Sequence, residues 1–278
     1  MASKPSPRPH AARSAGAVGR AIREWRTARR FSQLALGLEA EISPRHLSFI
    51  ESGRTQPSRA TILRLAEVLD VPLRDRNALL LAAGFAPGFP ERPLSDPELA
   101  QIQEGLGFVL EQLEPVPVVV VDRGWNVVRS NAGAARFAAR LLNPIPDVFA
   151  ARPNSLRLLL HPDGLRRAVV NWDEVATALL RQLRRAVHAA PGDPVVAALY
   201  EEVSRYPGLP RSFPRTDDGE TEPVVVPLHV RTAGFEARLL SMMATLARAH
   251  DVTVQELRVE TLVPADQASL DALRGLAR

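Results

Sequence analysis

Between Val18 and Ala83 apolar residues recur at helical spacing almost without a break, whereas beyond Pro97 helical and alternating patterns interchange. Two other stretches lack periodicity. Residues 1–16 combine three prolines with small residues and scattered positive charge, and Gly84-Phe85-Ala86-Pro87-Gly88-Phe89-Pro90 opens a Pro-rich run reaching Pro97. The pattern predicts a disordered basic arm over 1–16, a helical domain over 17–84, a linker over 85–97 and a second domain over 98–278. In the second domain Ile102, Leu106, Val109, Leu110 and Leu113 mark a helix. The runs Val116–Val121 and Trp125–Ser130, joined by Asp122-Arg123-Gly124, predict a hairpin. From Asp173 to His188 an amphipathic helix aligns Val175, Leu179, Leu180, Leu183 and Val187. Strands follow over Val224–Thr232, Phe235–Leu246 and Gln255–Val263, then a helix carrying Leu270, Leu273 and Leu276. Strands, then helices, then strands with tight connections describe an α+β domain on an antiparallel sheet.

The helical domain contains two short helices with clear start signals. Ser32 N-caps a helix from Gln33 to about Ala40, and Ser43 N-caps the next, with Pro44 at its first position. Ile42 and Leu47 are spaced as a hydrophobic staple across the second cap. The connection Ala40-Glu41-Ile42 is short enough to hold the pair at a steep angle, a helix-turn-helix. Leu34, Ala35, Leu38, Ile42, Leu47 and Ile50 fill the inward positions in this reading, which turns Pro44, Arg45, Ser48 and Phe49 outward.

Charge sharpens the picture. Residues 1–90 carry a net +7 and residues 91–278 a net −3, which confines polyanion binding to one end of the chain. No apolar run approaches the ~20 residues of a membrane helix, and the N-terminus lacks the apolar core of a signal peptide. The absence of cysteine excludes disulfides, thiolate metal sites and a cysteine nucleophile, and fits a cytoplasmic location. Six scattered histidines show no ligand spacing, so no metal is expected. Gly-rich phosphate loops, zinc-protease helices and nucleophile elbows are absent, and no catalytic residue is assigned. A Ser-Lys autoprotease needs an interior lysine, but the only lysine is Lys4 in the arm.

The run Ser-Pro-Arg-His-Leu-Ser-Phe-Ile-Glu-Ser-Gly-Arg over 43–54, preceded by Ser32-Gln33 and followed by Pro57-Ser58, resembles the xenobiotic-response-element class of lambda-repressor-like DNA-binding domains. The resemblance implies five helices ending near Ala83. By matching position, Gln33 binds a phosphate, Arg45 and Phe49 face base pairs with Pro44 at the edge, and Ser52 and Arg54 sit at phosphates. Ser43 and Ser48 belong to the same surface. Arg26 and Glu51 match a structural ion pair. His46 is either a phosphate contact or an ordinary surface residue. Trp25 is core packing or a base-stacking platform, and the arginines 23, 26, 29 and 30 divide between solvated face and backbone contact.

The second domain resembles the C-terminal domain of MmyB-like transcription regulators. The resemblance rests on Leu113-Glu114-Pro115-Val116-Pro117 running into Val118–Asp122, on Trp125-Asn126-Val127 and on Asn154-Ser155-Leu156-Arg157-Leu158. It continues through His161–Arg166, Val170-Asn171-Trp172 and Asp251–Leu257. It implies a PAS-like fold, an antiparallel sheet with covering helices around an apolar cavity, and a small apolar ligand such as a fatty acid. A pocket between sheet and helices has Phe137, Trp172, Leu179, Leu240 and Met242 as candidate walls, with His161 or Arg166 able to meet a polar head. Each is also readable as plain core or surface, and His161 and Asp163 beside Pro162 and Gly164 as a turn. The expected partners are duplex operator DNA, the small ligand and a second copy of the chain, with no membrane. The alternative is a ligand-independent regulator whose second domain only dimerises or recruits a protein.

Overall fold

The computed structural model describes residues 9–142, 146–150, 153–190, 193–210 and 225–277. The chain divides into two units, one of residues 1–91 with 188–191 and 248–255, the other of the remainder.

Five helices of the N-terminal stretch form the body of the first unit: α1 (Pro9–Ala28), α2 (Gln33–Glu39), α3 (Pro44–Glu51), α4 (Arg59–Val68) and α5 (Leu73–Ala82). Val18, Ile22 and Trp25 of α1 pack with Leu36, Leu47, Ile50, Ile62, Leu65 and Leu80 into one core, so Trp25 is a packing residue. Helix α1 starts at Pro9, inside the stretch whose composition suggested a disordered arm. Alanines 11, 12, 15 and 17 propagate the helix outward from that packed seam, and proline fits a first helical position. Residues 1–8 of the arm lie outside the described residues.

Helix α2 differs from expectation in register. Its buried positions are Leu36 and Gly37, while Leu34 and Leu38 are 69% and 77% exposed and Ala35 is exposed. Leucines at 34, 36 and 38 do not by themselves choose a face. The choice falls to Gly37, because a Cβ there would lie 2.6 Å from the Ile42 carbonyl oxygen, so the turn into α3 closes on the helix at that point.

Within the stretch read as linker, Gly88 and Phe89 are held against α5. Asn77 accepts the Gly88 and Phe89 N–H groups at 2.8 and 3.0 Å and donates to the Phe89 carbonyl at 2.7 Å. Pro72 provides no side-chain cap for α5; instead the Leu73 N–H donates to Gln255 Oε1 at 2.7 Å.

The second unit contains a five-stranded antiparallel sheet in the order β2-β1-β5-β4-β3. Its strands are β1 (Val118–Val121), β2 (Val127–Ser130), β3 (Leu228–Thr232), β4 (Phe235–Thr245) and β5 (Arg258–Pro264). The helices are α6 (Ala100–Gln112), α7 (Ala132–Leu141), α8 (Asp147–Ala150), α9 (Ser155–Leu160), α10 (Trp172–Ala189), α11 (Pro194–Ser204) and α13 (Gln267–Gly275), while the short α12 (Val252–Glu256) falls in the first unit but for its last residue. Gln255 therefore belongs to a helical turn before β5, capped by Asp251, and not to the strand. Trp125 precedes β2 in the left-handed region at φ +60°. Val224, the expected start of β3, lies outside the described residues.

Strand register fixes the two faces. Val119 pairs with Glu260 and Glu260 with Met243, while Leu262 pairs with Ser241 and Leu228 with Leu239. This inner face meets Leu156, Val175, Leu180 and Leu183 from α9 and α10 and Phe137 from α7. Val118, Val120 and Val259 point the other way and are covered by Leu106 and Leu110 of α6. Helices thus contact both faces, and β1, buried on each side, reads as an unbroken valine run.

Candidate nucleic-acid interface and the helix-covered sheet face

Helix α3 begins as its sequence dictates. The Ser43 hydroxyl oxygen accepts the His46 N–H at 3.2 Å, and Pro44 occupies the first turn. Leu47, Ile50 and Glu51 face inward. Glu51 anchors the helix: Arg26 donates to its two carboxylate oxygens at 2.6 and 3.0 Å, and Gln33 Nε2 donates to Oε2 at 2.8 Å. Hydrogen bonding to the Glu51 carboxylate raises the Arg26 guanidinium above its ordinary range against the opposing effect of burial. Gln33 thus enters the network that seats α3, a contact spacing alone does not reveal. At Gly19 of α1, a Cβ would stand 2.2 Å from the Ile50 carbonyl oxygen, so α3 lies directly on the α1 backbone.

The opposite side of α3 is open. Ser43, Pro44, Arg45, Ser52 and Arg54 are exposed, and Gln33, His46, Ser48 and Phe49 are half-buried at the same surface. Two guanidiniums lie over the Phe49 ring, Arg45 at 5.5 Å and Arg54 at 5.8 Å from its centroid. Such a cluster offers two cations and an apolar plate on one helical face. Arg26 and Arg29 are committed internally, Arg29 stacking on Trp25 and donating to the Leu69 carbonyl, while Arg23 and Arg30 are exposed.

In the second unit the inner core falls into two clusters. One gathers Val121, Leu156, Leu160, Leu180, Leu183 and Val203, the other Phe137, Val169, Val175, Leu228, Val230 and Leu239. Trp172 and Leu179 are half-buried and pack against both. Val119 joins the first cluster and Leu262 the second, and between them on the sheet sits Glu260. Burial pushes the Glu260 carboxyl above the ordinary carboxylate range, opposed by the Ser241 hydroxyl, which donates to Oε1 at 2.9 Å.

Residues 102–276 match the family described as the MmyB-like transcription regulator ligand binding domain, more than half of the chain. The chain belongs to this family. Residues 22–75 match the helix-turn-helix family, so this MmyB-like regulator joins a DNA-binding domain to a ligand-binding one. It is 38% identical over 94 residues to an uncharacterised HTH-type transcriptional regulator, RghRB, of Bacillus subtilis (strain 168). That match takes in 34% of this chain and 61% of the relative's length. Among solved structures, the clp gene regulator ClgR of Corynebacterium glutamicum shares 25% identity over 40% of this chain and 99% of its own, with a TM-score of 0.23. No helix among the described residues is long and apolar enough to cross a membrane.

Within the MmyB-like domain the expected pocket residues divide. Phe137 is buried, edge-on to Phe235 with centroids 6.2 Å apart, and Trp172 and Leu179 lie at the seam of the two clusters. Leu240 and Met242 do not join them. Cross-strand pairing puts both on the outer face, where Met242 is 60% exposed, and the inner positions are Ser241 and Met243. A displacement of one residue along a strand reverses its face, and the even alternation of β4 does not reveal which set turns inward. Arg166 stacks on Trp172 at 4.7 Å and donates to the carbonyls of Pro207 and Gly208, and the Trp172 Nε1–H donates to the Gly208 carbonyl at 3.2 Å. His161 stands edge-on to Phe149 and Tyr206, while its Nδ1 accepts the Asp163 N–H at 3.1 Å. Tyr206 donates to Glu202, which Arg157 holds with two hydrogen bonds of 2.7 Å; burial pushes the phenol up to about 12. Glu260, Ser241 and Met243 were not among the residues singled out by pattern.

Proposed function

We propose that this MmyB-like regulator represses transcription from a near-palindromic operator, binding as a homodimer in the cytoplasm and responding to a small apolar ligand. The observation that carries the DNA-binding half is the open Arg45–Phe49–Arg54 face of α3, backed by the Arg26–Glu51–Gln33 network. Each α3 enters the major groove of one half-site, with centres about 34–36 Å apart. Arg45 pairs bidentately with guanine, and Phe49 meets a thymine methyl. Ser43, Ser52 and Arg54 hold phosphates with Gln33 and His46 at the rim, and these contacts position rather than read.

The second domain carries the ligand against the inner sheet face, at the seam lined by Trp172 and Leu179. A ligand alters operator affinity only by favouring one dimer arrangement over another, a coupling typically worth about 1–3 kcal/mol.

Selection of operator sequences from random duplexes, followed by fluorescence anisotropy, tests the reading. Arg45→Ala lowers discrimination between selected and scrambled duplexes by about 1–3 kcal/mol. Gln33→Ala weakens both equally. Equal loss on both duplexes from Arg45→Ala counts against α3 as the reading element.

A further inference from the structure

Helix α6 covers the outer face of the sheet with one side and leaves its other side largely uncovered. Leu106 and Leu110 are buried against Val118 and Val120. Around the helix from them Phe108 is 66% exposed, and Val109 and Leu113 are exposed as well. Gly105, Phe108, Val109 and Gln112 follow one another at three- and four-residue spacing, so they share that outward side. All of these residues belong to the second unit.

Gly105 stands in the middle of the helix with nothing within 4 Å of the place a Cβ would occupy. Glycine weakens a helix interior, and no contact inside the chain requires it here. On an outward helical face it leaves a gap into which a ring from outside can settle. The same side of α6 borders an open cleft of about 640 Å³, bounded by Phe108, Gly107 and Leu94 and by the charged Glu104, Glu111 and Arg129. Among the described residues Glu104 and Glu111 make no ion pair. Nor does Arg129, whose Nη1 donates to the Gln103 carbonyl at 2.7 Å. A cleft that sets two carboxylates and a guanidinium side by side without pairing them carries both halves of an intermolecular ion pair.

A two-fold contact needs a face complementary to itself, because each patch meets its own copy. This side of α6 has that property, with a projecting ring, a gap at Gly105 one turn before it, and charges of both signs. Two copies of the helix, opposed antiparallel about a point between residues 105 and 108, set each Phe108 over the partner's Gly105. The same arrangement brings Gln101 opposite the partner's Gln112. A small-molecule site would instead enclose its ligand within apolar walls, whereas this ring projects outward.

We propose that the outward side of α6 is the homodimer interface, with Phe108 as its central anchor, Gly105 as the gap that receives it, and Glu104, Glu111 and Arg129 pairing at the rim. This rests on the reading of the protein as a homodimer and names the surface that closes it.

The experiment is sedimentation velocity of the full chain without DNA over a dilution series. Phe108→Ser is expected to weaken association by at least about 30-fold, the loss typical of a central aromatic anchor. Gly105→Leu fills the gap and is expected to weaken it by at least about tenfold. Its Cβ meets nothing within the chain, so helix content by circular dichroism stays the same or rises, which separates a blocked interface from a damaged fold. Met242→Ser, at an exposed apolar residue of β4, leaves the dissociation constant unchanged. Either Phe108→Ser or Gly105→Leu associating like the wild-type chain overturns the α6 assignment and leaves the homodimer standing. A wild-type chain that is monomeric throughout the series overturns both.

Discussion

Removing the Glu51 carboxylate has a cost that can be worked from its partners. Glu51→Ala deletes the acceptor for Arg26 at 2.6 and 3.0 Å and for Gln33 at 2.8 Å. The Arg26 side chain, 13% exposed, then keeps only the Phe31 carbonyl at 2.8 Å. An interior charge stripped of its partner typically costs about 3–5 kcal/mol. Arg26→Ala strands Glu51, whose side chain is 4% exposed, and belongs in the same range. Replacing both, as Arg26→Met with Glu51→Met, removes the desolvation cost together with the attraction and returns stability to within about 1 kcal/mol of the original. Hydrogen exchange of the Leu47 and Ile50 amides in the full chain reads the α1–α3 contact without requiring the whole molecule to unfold. A loss of about 3 kcal/mol speeds exchange through global opening of that domain roughly 100-fold. If the double replacement exchanges as fast as the sum of the singles, the pair is not coupled, and the account of how α3 is seated fails.

Gly19→Ala places a methyl 2.2 Å from the Ile50 carbonyl oxygen, so the usual helical gain from alanine is outweighed by displacement of α3. Melting of the variant should show a loss of about 1–3 kcal/mol with weaker operator binding, and a rise in melting temperature would contradict the packing. Leu38→Gln, at an exposed position, should change stability by less than about 0.5 kcal/mol, whereas Leu36→Ala costs about 2–5 kcal/mol; the reverse order in urea unfolding would restore the other register of α2. Burial raises the Glu260 carboxyl, so between its ordinary and raised pKa the folded state holds more protons than the unfolded one and stability falls as pH rises. Glu260→Gln lacks that slope, and its melting temperature should gain on the wild type from about pH 4.3 upward; a constant difference across pH would refute it.

The helix-turn-helix was legible because several local signals coincide. Ser32, Ser43 and Pro44 mark both helix starts, and the Arg26–Glu51 pair expected from the resemblance forms. The register of α2 was not legible, since Leu34, Leu36 and Leu38 satisfy an apolar count in either orientation. Tertiary closeness at Gly37 decides it, and closeness between backbones leaves no mark in periodicity beyond the glycine itself.

The sheet repeats that lesson with larger consequences. In β4, Leu240-Ser241-Met242-Met243 offers an apolar residue to each side, and the edge pairing with β3 settles which side is inward. The expected walls Leu240 and Met242 therefore went to the outer face, while Ser241 turned towards the helices. Glu260 was passed over for a related reason. In Arg258-Val259-Glu260-Thr261-Leu262 the alternation suggests polar outward and valine inward, the ordinary arrangement of a half-buried strand. Helix α6 occupies the valine side and α10 packs against Val119 and Leu262 on the other, so both faces carry helices and the glutamate stands half-buried on the inner one. The carboxyl can stand on the inner face because the neighbouring Ser241 and Met243 are exposed there, and only the register of β4 against β5 reveals which side it takes.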